Sequence, residues 1–102
     1  MSSISPNNQY QLRQMLDTIN AYESRQVDLG TLVNNLETLF GRLENPPDNW
    51  RKAFLKAWGM LEDVYAFALD KPVYQLEDVD FGLIAEAITR LRGLIQPLLP
   101  RG

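Results

Sequence analysis

Thirteen carboxylates, with no histidine and no cysteine, bound the chemistry open to this chain of 102 residues. Without histidine it lacks the usual general base near neutral pH and the commonest transition-metal ligand. Without cysteine it has no thiolate nucleophile and no thiolate-built zinc site. Catalysis would fall to carboxylates, lysine or tyrosine. The acids that invite such a reading are Glu62 and Asp63, set in the otherwise apolar stretch "MLEDVYAFALDK". A general acid and base must converge on one point. At roughly 100° per residue, Trp58, Leu61, Tyr65 and Ala68 share one helical stripe, with Val64 close beside it. Glu62 borders that stripe and Asp63 points well away from it. The pair does not converge, and no enzyme is expected.

The wider charge pattern says more. From Met1 to Leu61 six acids and six bases cancel. From Glu62 to Glu86, seven acids (Glu62, Asp63, Asp70, Glu77, Asp78, Asp80, Glu86) stand against Lys71 alone, a net of −6. Arg90, Arg92 and Arg101 bring the chain to a formal −3. Two readings follow. One is a solvated end rich in helix-capping acids. The other is an acidic docking surface, whose field would raise the on-rate and specificity for a basic partner. Its candidate partner-binding residues are Glu62, Asp63, Asp70, Tyr74, Glu77, Asp78 and Asp80. Tyr74, flanked by Val73 and Leu76, either packs down on the fold or serves as an interface anchor.

Other ligands fit poorly. The acidic connection lacks the glycine and ligand spacing of a calcium loop. A two-metal carboxylate bundle needs Glu-x-x-His motifs, which a chain without histidine does not have. Gly30, Gly41, Gly59, Gly82 and Gly93 are scattered and build no phosphate loop. No metal and no cofactor are expected. The acidic balance opposes a nucleic-acid backbone, and Arg51, Lys52 and Lys56 of "WRKAFLK" make too small a patch to reverse it. On an amphipathic helix that triplet reads as a solvated face rather than a membrane-binding one, because the apolar side is needed for the core.

The elements that position these residues are helical. Residues 1–7 read as a polar, frayed tail. From about Asn8, Leu12, Met15, Leu16, Ile19 and Tyr22 recur three or four apart, and the polar "ESRQVD" ends this helix near Arg25. Asp28 is a natural N-cap for a second helix carrying Leu29, Leu32, Val33, Leu36, Leu39, Phe40 and Leu43. "ENPPDNW" is a stop, since Pro47 holds Pro46 out of the α region. A third helix starts at about Pro47 and carries Trp50, Phe54, Ala57, Trp58, Leu61, Val64, Tyr65, Ala68 and Leu69, ending near Asp70 before Pro72. Gly59 within it costs about 1 kcal/mol relative to alanine, and a close helix crossing is the first compensation to look for. Asp78 or Asp80 caps a fourth helix with Leu83, Ile84, Ala87, Ile88, Leu91, Leu94 and Ile95, closed by Pro97.

No segment shows strand periodicity. Four amphipathic helices with short connections predict an all-α, antiparallel up-down-up-down four-helix bundle over residues 8–97, with a C-terminal tail at 98–102. An apolar fraction of 45% is ordinary for a globular domain, and a chain of this size buries a real core without disulfides or metal. No apolar run approaches the ~20 residues of a membrane span. The N-terminus lacks the basic residues and apolar block of a secretory signal. A cytoplasmic location is expected.

The stretch "LGTLVNNLETLFGRLENPPDNWRKAFLKAWGMLEDVYAFALDK", followed by a polar loop and "DFGLIAEAITRLRGLI", carries a resemblance. Its pattern is a Leu-rich helix, a proline turn, Trp…Phe…Trp and then "LED-YA-AL". Over about residues 28 to 96 it resembles the small helical immunity proteins that accompany bacterial polymorphic and contact-dependent growth-inhibition toxins. The resemblance implies a cytoplasmic antitoxin that binds one cognate toxin domain, often a nuclease, and covers its active site. It carries over no residue-level site. The alternative is a structural or adaptor bundle without enzymatic activity that self-associates as a homo-oligomer through apolar surface on its first or fourth helix.

Overall fold

The computed structural model describes residues 4–100. Four α-helices and no strand appear among them: α1 (Pro6–Glu23), α2 (Leu29–Gly41), α3 (Asp48–Leu69) and α4 (Asp78–Ile95), followed by a 3-10 turn at Gln96–Leu98. The chain is all-α, as the periodicities predict. No helix is long and apolar enough to cross a membrane.

Local chemistry sets the helix ends. Asp28 caps α2 as expected, its carboxylate accepting from the Thr31 N–H at 2.8 Å. Proline at Pro47 precedes α3 and Asp70 closes it. Two ends differ from expectation. α1 starts at Pro6 because Ser5 accepts from the Asn8 N–H at 3.1 Å and Pro6 needs no amide partner in the first turn. Residues 4–7 therefore leave the expected tail, and Ile4 packs on the core. Residues 1–3 and 101–102 of the expected tails lie outside the described residues. α4 is capped by Glu77, with Asp80 reaching back to accept from the Glu77 N–H at 2.9 Å.

At the other end of α1, Arg25 takes the left-handed position that usually holds glycine, at φ 64. The Arg25 N–H bonds Tyr22 O and the Gln26 N–H bonds Ala21 O, which satisfies carbonyls that would otherwise lack partners.

The core is one cluster drawn from all four helices. Met15, Ile19, Leu32, Leu36, Phe54, Leu61, Leu91 and Ile95 are essentially without solvent contact. Contacts between helix ends order the helices. Asn7 donates to Arg42 O at 3.0 Å, and the Asn8 side chain makes two bonds to the Glu44 backbone, joining the start of α1 to the end of α2. Trp58 Nε1 donates to Val33 O at 3.0 Å across α2 and α3. Trp50 Nε1 donates to Leu94 O at 2.9 Å, tying the start of α3 to the end of α4. Between α4 and α1, Arg92 grips Asn20 and Glu23, late in each helix.

The expected close crossing at Gly59 is absent within the chain. A Cβ there would meet no atom within 4 Å. The close approach occurs at Gly30, in the first turn of α2, where a Cβ would lie 2.6 Å from the Tyr65 hydroxyl. Leu69 and Leu83, counted with the apolar stripes, are exposed. Each adjoins a buried residue, Ala68 and Ile84 respectively, and stands one step of helical rotation off the buried stripe.

Candidate functional site

The acidic block divides into three parts. Helix geometry places Glu62 and Asp63 about 10 Å along α3 before Asp70, at 1.5 Å per residue. Both point outward and both are exposed. Asp70, Tyr74, Glu77 and Asp78 gather where α3 gives way to α4. Glu86 lies a further two turns down α4 and pairs locally with Arg90 at 3.7 Å.

Asp80 does not belong with the exposed acids. It is only 8% exposed, because its carboxylate turns back to cap α4 and approaches Lys71 Nζ at 3.8 Å. Asp80 therefore leaves the candidate docking set. Lys71 also lies 3.7 Å from Glu77, donates to Gln75 O at 3.2 Å and stands 5.5 Å over the Phe67 ring. One lysine thus staples the connection and draws charge from two of the seven acids. Among the described residues, no basic side chain lies within ion-pairing distance of Glu62, Asp63, Asp70 or Asp78.

Tyr74 packs on the fold and still keeps one side open to solvent. Its ring meets Tyr65 edge-on at 6.3 Å, yet the residue stays 46% exposed. Burial pushes its hydroxyl above the ordinary value of 10.0, and the Asp28 carboxylate adds to that. The residue is held by the fold and offers one face outward.

Around it lies an apolar surface that the sequence reading did not single out. Phe67 is 65% exposed and Val73 72%, with Val79 and Phe81 also open to solvent. A signal was present for Phe67: it stands off the stripe of Trp58, Leu61, Tyr65 and Ala68 by helical rotation. For Val73, Val79 and Phe81 no periodicity could have decided it, since they sit in a loop and a first helical turn.

The exposed carboxylates lie at the end where α3 gives way to α4 and on α3's outer face. Among the described residues, no three acids gather as a metal site. A cleft of about 710 Å³ lies at the opposite end, between Leu12, Leu43, Pro46, Trp50 and Leu98. It holds one acid, Glu44, whose backbone is tied to Asn8. No protein-family model, no curated protein and no solved structure matches this chain.

Proposed function

We propose that the chain is an inhibitory binding protein that docks a basic protein partner on the end where α3 meets α4. On this reading it is an immunity protein for a toxin domain, with a cationic nuclease as the partner class. The observation that carries it is the pairing of exposed carboxylates lacking an internal cation with exposed aromatic and aliphatic side chains at the same end. Asp70 and Asp78 supply negative potential; Phe67, Val73, Tyr74 and Val79 supply apolar contact. A nuclease holds phosphates with lysine and arginine, and carboxylates at the spacing of one loop can occupy those groups in place of substrate. Burial of Tyr74 against Tyr65 reduces the entropy lost when the anchor is fixed by a partner.

The resemblance of residues 28 to 96 to helical immunity proteins supports the same class. On this reading the protein is a non-enzymatic, cytoplasmic antitoxin that works without metal or cofactor. The test is inhibition of a basic nuclease toxin domain encoded beside this chain's gene. Wild-type protein is expected to block cleavage with a strong dependence on salt. The triple variant D70K/Y74A/D78K is expected to weaken inhibition at least about a hundredfold. Undiminished inhibition by the triple variant would remove this surface from the mechanism.

A further inference from the structure

We infer that the outer face of α3 is a self-association surface that docks antiparallel on the same face of a second copy, with Gly59 at the crossing. This inference does not rest on the toxin reading, and it concerns a different part of the helix.

Three features of this face have no explanation inside one chain. Gly59 stands mid-helix, where it weakens the helix by about 1 kcal/mol relative to alanine. Nothing within the chain approaches it, since a Cβ would meet open space. The charges are segregated: Lys52 and Lys56 precede Gly59, while Glu62 and Asp63 follow it. A solvated face gains from opposite charges four residues apart, whereas Lys52 and Lys56 are four apart and alike. The segregation also opposes the helix dipole, which favours acids at the start of a helix and bases at its end. Finally, Leu55 is exposed on the same face.

A second copy resolves all three. At roughly 100° per residue, Lys52, Leu55, Lys56, Glu62, Asp63 and Ala66 lie within about 60° of Gly59 around the helix. Lys56 stands ~4.5 Å before Gly59 along the axis and Asp63 ~6 Å after it, on the same edge of the face. An antiparallel two-fold through Gly59 keeps that edge and reverses the axis. It therefore sets Lys56 of each copy beside Asp63 of the other, with Lys52 reaching towards the same carboxylate. On the opposite edge Leu55 meets Ala66 and the stem of Glu62. Glycine against glycine lets the helix axes approach closely. A parallel pairing would set lysine on lysine, so the charges choose the antiparallel one. Among the described residues Lys52, Lys56 and Asp63 have no ion partner within the chain. The interface is isologous and closed, giving a dimer rather than a filament.

Sedimentation velocity of the purified chain, from low micromolar to millimolar, tests this. A reversible dimer that weakens with salt is expected. The reversals K56D and D63K are each expected to weaken it at least about tenfold, and the double reversal K56D/D63K to restore it. Gly59→Arg, whose Cβ would meet no atom within 4 Å in its own chain, should leave helicity intact and abolish the dimer. A monomer at every concentration would assign this face to another partner and overturn the inference. So would a dimer indifferent to these variants, or a double reversal that fails to rescue. None of them touches Asp70, Tyr74 or Asp78, so toxin inhibition and self-association fail on separate variants.

Discussion

At the end where α2 turns into α3, Phe40, Trp50 and Phe54 stack at 4.7 to 6.4 Å between ring centroids, and Trp50 clamps a carbonyl of α4. At the end where α3 turns into α4, Phe67, Val73, Val79 and Phe81 stand in solvent. Residues of the same kind are core at one end and surface at the other. The difference lies in what stands opposite. The first end has α1, the Pro46–Pro47 turn and the segment after α4 closing over it, whereas the second projects its loop beyond neighbouring helices. Apolar side chains left outside beside unpaired carboxylates bury little in the monomer, and on the proposed reading they are what a partner covers.

The sharpest way to break that contrast is a matched pair of truncations. Phe54→Ala should lower stability by about 3–5 kcal/mol, and Phe67→Ala by no more than ~0.5 kcal/mol, in urea unfolding. A large loss at Phe67 would mean that the exposed end is part of the core after all. Next comes Gly30→Ala, whose new methyl must displace the Tyr65 ring. A loss of about 1–3 kcal/mol is expected, largely relieved when Tyr65→Leu is combined with it. At low protein concentration Gly59→Ala should move in the other direction, raising the midpoint of thermal unfolding by a gain of up to ~1 kcal/mol.

Asp80→Ala removes the acceptor for the Glu77 N–H and the inner partner of Lys71. It should cost roughly 1 kcal/mol and increase amide exchange in the first turn of α4, measured by hydrogen exchange. The smallest effect belongs to Glu23, whose carboxyl is held below its ordinary 4.5 chiefly by the hydrogen bond from Arg92. A depressed folded value means that the pair stabilises fully above pH 4.5 and that this contribution is lost as pH falls through the lowered value. Because Glu23 is substantially exposed, Glu23→Gln should cost only ~0.2–1 kcal/mol at neutral pH. The difference from wild type should vanish in strong acid, as followed by unfolding at a series of pH values.

Much of the fold was legible because its causes are local. Asp28, the Pro46–Pro47 pair and Pro72 mark boundaries by backbone chemistry that needs no neighbour. The recurrence of Leu and Ile marks faces by the period of the helix alone. The misread residues are those whose state depends on something distant. Asp80 counts by sequence both as a docking acid and as a candidate cap of α4, and the Glu77 amide and Lys71 draw it inward to the capping role. Gly59 was assigned a close crossing and Gly30 none. Which glycine meets a neighbour is fixed by where α2 and α3 touch, and no spacing along one helix encodes that. Leu69 and Leu83 are apolar residues beside the stripe, but the packed face of each helix falls on the adjacent Ala68 and Ile84.

Composition and periodicity by themselves determined that this chain is helical, that its helices break where they do, and that it lacks histidine and cysteine. Those properties follow from single residues and from neighbours within a turn. Only the tertiary structure decided which carboxylates stay free, which aromatics remain outside, and that Gly59 faces open space. Each of these depends on the distance between residues far apart in the chain, which packing sets and local sequence does not.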